Sequence, residues 1–181
     1  MKNITLFIAL ICLMSGTIFA QHDHHNHPEG EEVKLPPFRI ALLLGHTLIP
    51  EQHAQENFFI PSWGLDIEYW FSNKIGLGVH NDLELETFII LDEGGEMDEI
   101  ERVSPLVMTL DLLYKPWRGL VLQLGPGIEI EKDESYSLFR TGIEYEIEIN
   151  HHWDLAPTVF YDSRFDGYHT WSIALGVGRR F

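Results

Sequence analysis

Apolar and polar side chains alternate with a period of two from Phe38 to Phe181, and this alternation restricts the fold more than any other feature. Successive side chains of a β-strand point to opposite faces, so the period predicts strands with one apolar and one polar face. No helical pattern competes in this part of the chain, which predicts an all-β fold. The eight alternating segments are Phe38–Leu48, Phe58–Ser72, Ile75–Ile90, Val103–Lys115, Leu120–Glu131, Tyr136–Ile149, Trp153–Asp162 and His169–Phe181.

Eight alternating strands fit two architectures that differ in the direction of the apolar face. In a soluble lipocalin-like barrel the apolar face points inward, whereas in an outer-membrane barrel it contacts lipid. Glycines on the polar face favour the second, because small residues suit the crowded interior of an eight-stranded barrel. These glycines are Gly64, Gly76, Gly78, Gly125, Gly127, Gly142, Gly176 and Gly178.

Aromatic side chains and connection lengths favour the same architecture. Short connections follow the second, fourth and sixth segments, and longer ones follow the first and third, which is typical of membrane barrels with short periplasmic turns. Aromatic residues cluster near the ends of the apolar stripes, as in interfacial girdles. They are Trp63, Tyr69, Phe71, Tyr114, Trp117, Tyr145, Trp153, Tyr161 and Trp171.

The last segment, TWSIALGVGRRF, ends in a carboxy-terminal phenylalanine and resembles the signal that the assembly machinery of bacterial outer-membrane barrels reads. The segments IPSWGLDIEYWF, YKPW, GPGIEIE and GIEYEIEINHHWDLAPTVFYD are similar to those of an uncharacterised group of small Bacteroidota-type outer-membrane proteins. This likeness spans nearly all of Phe38–Phe181. It implies an eight-stranded antiparallel up-and-down transmembrane β-barrel in the outer membrane of a Gram-negative bacterium. The implied partners are membrane lipid and, through Phe181, the assembly machinery.

The first twenty residues, 1–20, predict a secretory signal peptide. Lys2 precedes an apolar run that is too short to span a bilayer, and a segment of small residues ends at Ala20. We expect cleavage before Gln21, a polar histidine-rich tail at 21–37 and the barrel at 38–181. The only cysteine, Cys12, lies in the leader, so the mature chain would contain neither a disulfide nor a thiolate metal site.

The acidic composition bears on partners. The formal net charge is -16, with 12 basic and 28 acidic residues. A nucleic-acid-binding surface needs an excess of lysine and arginine, so nucleic acid is not an expected partner. The oligomeric state stays open, with a monomer as the expectation. An even number of strands with both ends on one side predicts a periplasmic tail.

Four histidines in the tail form the first candidate site: His22, His24, His25 and His27. Imidazoles at this spacing can chelate Zn, Ni or Cu(II), with neighbouring carboxylates as oxygen donors. The alternative is a solvated low-complexity tail without a specific ligand.

The polar face of the strands forms the second candidate site. It carries twelve carboxylates, Asp66, Glu68, Asp82, Glu84, Glu86, Asp111, Glu129, Glu131, Glu144, Glu146, Glu148 and Asp162, against four bases, Arg39, Lys115, Arg140 and Arg180. Unpaired carboxylates in a narrow interior repel, so they must protonate, pair or hold cations. We predict an ion-pair network of Arg140 with Glu68, Asp111, Glu144 and Glu146 in the middle layers.

The same middle layers contain one histidine. We predict a cation or proton site at His80 with Asp82, and the alternative is a histidine that only packs and hydrogen-bonds.

These features favour a non-enzymatic outer-membrane barrel that binds divalent metal or other cations, or acts structurally. Two alternatives stay open. A lipid-modifying enzyme could start from His80 with Asp82, or from Ser172 with His169, although the sequence lacks the His-x-Ser-Asn element of lipid A deacylases. The other alternative is a periplasmic lipocalin-like carrier.

Overall fold

The computed structural model describes residues 35–49, 58–91, 99–132, 135–165 and 167–181. Within these ranges all regular structure is strand: β1 Phe38–Ile49, β2 Phe58–Trp70, β3 Ile75–Glu84, β4 Thr87–Leu91, β5 Glu99–Val103, β6 Leu106–Trp117, β7 Leu120–Ile130, β8 Tyr136–Tyr145, β9 Ile147–Glu148, β10 Trp153–Arg164 and β11 His169–Arg180. The described residues contain no helix of the length and apolar character needed to cross a bilayer. The predicted signal peptide, the four tail histidines and the acidic segment 92–98 lie outside the described residues.

Eight strands form one closed antiparallel barrel. Neighbours pair in the order β1, β2, β3, β6, β7, β8, β10 and β11, and β11 pairs back with β1 from Arg39↔Arg180 to Leu48↔Trp171. Closure leaves neither edge of the sheet unpaired, which is how up-and-down barrels satisfy their backbone hydrogen bonds. The predicted all-β eight-stranded antiparallel barrel is confirmed.

Two predicted segments are each divided in the structure. The third becomes β3 and β4, and β4 pairs only with β5, so these two strands form a separate hairpin. The sixth ends as β8 at Tyr145 and resumes as β9. Pro157 of β10 lies opposite this second break and has no N–H to donate to the ladder. At the break, the backbone N–H of Glu146 instead donates to the carbonyl of Gly119 at 2.6 Å.

The two faces of the barrel differ in polarity as the alternation predicts. Exposed apolar side chains lie on the outer face of every barrel strand; Leu42, Leu44 and Leu110 are 61%, 67% and 53% exposed. Many inward side chains are charged, and Arg39, Asp111 and Arg140 are buried, together with apolar side chains such as Trp70, Leu113 and Phe160. This arrangement is the opposite of that in a lipocalin-like carrier, whose apolar face points inward.

Aromatic side chains surround both ends of the outer surface. We call the end that carries Phe38, Phe181 and the turns 71–74, 118–119 and 149–152 the terminal rim, and the opposite end the loop rim. At the terminal rim the rings of Phe38 and Phe181 lie 6.3 Å apart, and those of Tyr69 and Phe71 lie 5.3 Å apart. Toward the loop rim, Tyr161 and Trp171 pack with ring centroids 4.8 Å apart. Apolar belts flanked by aromatic girdles are typical of membrane barrels.

Gly125 of β7 allows the closest approach between β7 and β6. A Cβ at this position would lie 2.0 Å from the carbonyl oxygen of Leu110 and 2.7 Å from the Cα of Asp111. Both are backbone atoms, so they could not move aside without displacing β6.

We expect Gly125→Ala to lower the free energy of unfolding by about 1–3 kcal/mol, because the added methyl overpacks the interior. Gly176→Ala is the matched control, since its Cβ would meet its nearest atom, Leu43 Cγ, at 3.3 Å. Urea-induced unfolding in lipid vesicles measures both variants. Equal losses of stability would contradict this account of the β6–β7 contact.

Candidate functional site

The barrel interior is the part of the described molecule that concentrates chemically active groups. Ten carboxylates are buried: Asp66, Glu68, Asp82, Glu84, Asp111, Glu129, Glu144, Glu146, Asp154 and Asp162. Six bases are buried with them, Arg39, Arg102, Lys115, Arg140, Arg164 and Arg180, together with His80. The sequence predicts twelve inward carboxylates against four bases, whereas ten carboxylates and six bases are buried in the structure. The predicted excess of negative charge is therefore too large.

Three interior residues were missed by the sequence analysis. Asp154 and Arg164 share the parity of Asp162 along β10, so extending the alternation by one step in each direction would have found them. Arg102 lies in β5, before the predicted start of the fourth segment, and the sequence carries no comparable signal for it. Glu86 and Glu148, which were predicted to face inward, are exposed.

Glu146 is paired at the terminal rim rather than in the middle layers. It accepts hydrogen bonds from Lys115 Nζ at 2.6 Å and from Arg180 Nη2 at 2.7 Å. Both cations also lie over the Trp70 ring, at 4.5 Å and 5.4 Å from its centroid. The strand β8 is interrupted at Glu146. This carboxylate lies at the terminal rim and closes that end of the interior.

Arg39 of β1 holds three carboxylates that come from three other strands. Its guanidinium forms ion pairs with Glu68, with Glu144 at 3.0 Å and with Asp154 at 2.6 Å. The second oxygen of Glu68 accepts a hydrogen bond from Trp70 Nε1 at 2.7 Å. One cation is thus shared among three negative groups in this layer.

His80 lies in the next layer, paired with Asp111 rather than with Asp82. Its Nδ1 is 2.8 Å from Asp111 Oδ2, which also accepts a hydrogen bond from Thr109 Oγ1 at 2.6 Å. The other ring nitrogen, Nε2, is buried and has no hydrogen-bond partner. Asp66, Glu68 and His80 each offer one ligand atom, and these three atoms lie within 4.8 Å of one another.

Arg140 pairs with Asp82 and Asp162. Its Nε and Nη2 both donate to Asp162 at 2.7 Å, its Nη1 donates to Asp82 at 2.5 Å, and it stacks 4.0 Å above the Phe160 ring centroid. The ion pairs of Glu68, Glu144 and Glu146 are with other bases. The five residues predicted to form one network are thus distributed over four separate clusters.

A further cluster closes the interior at the loop rim. Glu129 accepts from Arg102, from Arg164 and, at 2.8 Å, from the Tyr168 hydroxyl. Arg164 also donates to Thr170 at 3.0 Å. Burial raises the pKa of the Tyr168 phenol above its usual value, so Tyr168 stays a neutral donor to Glu129.

Negative charge is unevenly distributed among these clusters. The loop-rim cluster sets Arg102 and Arg164 against Glu84, Glu129 and Glu131, and the terminal-rim cluster has more cations than carboxylates. The layers around Arg39 and His80 hold five buried carboxylates: Asp66, Glu68, Asp111, Glu144 and Asp154. The surplus is therefore concentrated between Arg39 and His80.

The residues considered for catalysis are not brought together. Ser172 points inward, and its hydroxyl is 2.9 Å from that of Thr47. His169 points outward, with its ring centroid 5.8 Å from that of Tyr161. The two side chains lie on opposite faces of β11, as the alternation predicts.

Arg140 offers a direct test of the interior ion pairs. We expect Arg140→Met to cost about 3–5 kcal/mol of stability, because Asp82 and Asp162 would stay buried without their cation. A triple variant that adds Asp82→Asn and Asp162→Asn should recover most of this loss. Urea-induced unfolding in vesicles measures both, and a triple variant less stable than Arg140→Met would show that the charges are not the cause.

Comparison with solved structures identifies proteins of the same architecture. Ail of Yersinia pestis superposes with a TM-score of 0.57 at 15% sequence identity, covering 81% of this chain and 99% of that chain. Neisserial surface protein A of Neisseria gives 0.57 at 9% identity, with 80% and 97% covered. The outer-membrane protein OprG of Pseudomonas aeruginosa gives 0.55 at 15% identity, with 81% and 97% covered.

Comparisons of sequence, by contrast, find no match. No protein-family model matches the chain, and no curated protein matches it. The predicted resemblance to a Bacteroidota-type group stays a prediction, whereas the broader resemblance to small eight-stranded barrels is confirmed by the structural neighbours. The chain therefore has the fold of the small eight-stranded outer-membrane β-barrels.

Proposed function

We propose that the protein is a non-enzymatic outer-membrane β-barrel of a Gram-negative bacterium, closed to solutes, that binds divalent cations. The observation that carries this proposal is the inverted polarity of the barrel, apolar outside and charged inside.

The outer surface supports residence in a membrane. An exposed apolar side chain on every barrel strand would be unfavourable in water, where burying apolar area is worth about 25 cal/mol per Å². In lipid the same belt is solvated, and the closed ladder leaves no strand edge unpaired. Outer-membrane structural neighbours support the same location.

The interior supports a barrel that does not conduct. An eight-stranded barrel is just wide enough for its own side chains to fill it. Here Arg39, Arg140 and Arg164 extend into the interior at three levels, and each residue is at most 1% exposed. Each is held by carboxylates from other strands, so a solute would have to break several buried ion pairs.

The rims support an orientation with both termini in the periplasm. Phe38 and Phe181 share the terminal rim, where the Phe181 N–H donates to the carbonyl of Phe38 at 2.8 Å. The short turns 71–74 and 118–119 lie at the same rim, and short turns face the periplasm in outer-membrane barrels. The C-terminal strand ending in Phe181 would then be read by the assembly machinery from that side.

The tail supports cation binding on sequence grounds. His22, His24, His25 and His27 supply imidazole nitrogens beside Asp23, a donor set that suits Zn, Ni or Cu(II). In the proposed orientation the tail is periplasmic.

Leu110→Arg tests membrane residence. We expect a cost of about 2–4 kcal/mol, because Leu110 lies in the middle of the apolar belt and arginine there must be desolvated by lipid. Ser135→Arg, at an exposed site outside the strands, is the control and should change stability by less than about 0.5 kcal/mol. Folding into vesicles and recovery in the outer-membrane fraction are the measurements. A Leu110→Arg protein as stable as the control would contradict the proposal that the barrel resides in a membrane.

Zinc titration tests the tail. We expect the mature chain to bind more zinc per molecule than a chain in which His22, His24, His25 and His27 are all alanine, because each substitution removes a nitrogen donor. Calorimetry measures the stoichiometry, and a second variant lacking Gln21–Glu32 should behave like the alanine variant. Equal zinc stoichiometry in all three proteins would contradict a metal-binding tail.

A further inference from the structure

We propose that Asp66, Glu68 and His80 bind one zinc-type divalent cation inside the barrel. This inference rests on the proposed cation-binding function and names a second, internal site for it. The site is built from two neighbouring strands, with Asp66 directly opposite His80 in the β2–β3 register. Glu68 follows on the same inward face of β2.

His80 is oriented as metal-binding histidines are. Its Nδ1 bonds to Asp111 Oδ2 at 2.8 Å, and the Thr109 hydroxyl donates to the same oxygen at 2.6 Å. Metal-ligating histidines usually donate one ring N–H to a carboxylate, which fixes the tautomer and leaves the other nitrogen free to bind. The other nitrogen here, Nε2, is buried and has no hydrogen-bond partner.

Room for this imidazole is provided by a glycine. Gly78 precedes His80 on the same inward face, and a Cβ at Gly78 would lie 2.4 Å from His80 Nε2. A larger residue at this position would occupy the space beside the unpartnered nitrogen. The absence of a side chain at Gly78 therefore leaves room for the imidazole with its Nε2 directed toward this position.

The two carboxylates supply the remaining donors. Within the part of the chain that the structure describes, no basic side chain forms an ion pair with the buried Asp66. Glu68 accepts from Arg39 and from Trp70, and each of its oxygens keeps a second lone pair. Both carboxylates can therefore bind a cation without losing a partner.

Charge balance gives an independent reason for a cation at this level. Five buried carboxylates surround Arg39 and His80, whereas the loop-rim cluster has three carboxylates against two arginines and the terminal-rim cluster has excess positive charge. Burying unpaired carboxylates is unfavourable by several kcal/mol per ion. A divalent cation between Asp66 and Glu68 would neutralise the surplus where it is largest.

The donor set selects the class of metal. One imidazole nitrogen and two carboxylate oxygens suit Zn²⁺, which binds nitrogen and oxygen at about 2.0–2.2 Å and accepts three protein ligands plus a water. Ligand atoms within 4.8 Å of one another need only a small inward movement to reach such bonds. Calcium prefers six to eight oxygen ligands, which this cluster does not supply.

The test uses the full mature chain with His22, His24, His25 and His27 changed to alanine, so that the tail does not bind metal. The protein is refolded into detergent with zinc and then dialysed, because a buried site must be loaded during folding. We expect one zinc per chain by elemental analysis. Asp66→Asn and His80→Asn, in the same background, should each weaken zinc binding by at least about 100-fold, and Asp111→Asn, a positioning variant, by about 10–100-fold.

Glu84→Gln is the matched control, since it neutralises a buried interior carboxylate whose ion-pair partner is Arg164, at 3.8 Å. It should keep one zinc per chain. Heat-modifiable migration on a gel shows which variants are folded, and if His80→Asn fails to fold, Asp66→Asn decides. Full zinc occupancy in folded Asp66→Asn would overturn the proposal, as would calcium displacing zinc at equal concentration.

Trp70 provides a second readout that a purely structural role would not move. Its indole N–H donates to Glu68, and it is only 5% exposed, whereas Trp63, Trp117, Trp153 and Trp171 are at least 40% exposed. Loading with Co²⁺ should quench Trp70 fluorescence in the tail-alanine chain but not in its Asp66→Asn form. If the tail-alanine chain binds no zinc while the unmodified chain does, the internal site fails and the proposed tail function stands.

Discussion

The pairing of β1 with β11 is the interaction on which the rest of the structure depends. It joins the first strand to the last across the whole length from Arg39↔Arg180 to Leu48↔Trp171. Without it the barrel strands would form an open sheet with two unpaired edges and two accessible faces. With it, the backbone groups are satisfied internally and an inside is separated from an outside. The period-two alternation then assigns every side chain to one environment or the other.

Closure of the barrel makes the interior an unfavourable environment for unpaired charges. Ionic groups removed from water are tolerated only when partners satisfy them, and each interior cation here reaches carboxylates on other strands. Arg39 of β1 connects β2, β8 and β10, and Arg140 of β8 connects β3 and β10. These pairs act as cross-braces between strands that are not all neighbours in the sheet. The excess of carboxylates over bases is largest in the layers around Arg39 and His80, and His80 Nε2 lacks a hydrogen-bond partner.

The separation of an inside from an outside also determines which environments the barrel suits. The apolar belt and aromatic rims suit the barrel to lipid, while buried side chains, many of them charged, occupy the interior. The charged clusters at the two rims close the interior from both ends, so a cation bound near His80 would exchange slowly with the surroundings.

Sequence alone determined the all-β class, the number of barrel strands and the direction of each face, because a period of two is a local property of an extended chain. It also placed His80, Arg140 and the predicted interior carboxylates Glu68, Asp111, Glu144 and Glu146 on the inward face. Only the tertiary structure decided the partners. Asp82 pairs with Arg140, Asp111 pairs with His80, and Glu146 pairs with Lys115 and Arg180. Partnership depends on strand register, on the interruption opposite Pro157 and on long side chains that cross the interior. None of these is encoded in the spacing of residues along one strand.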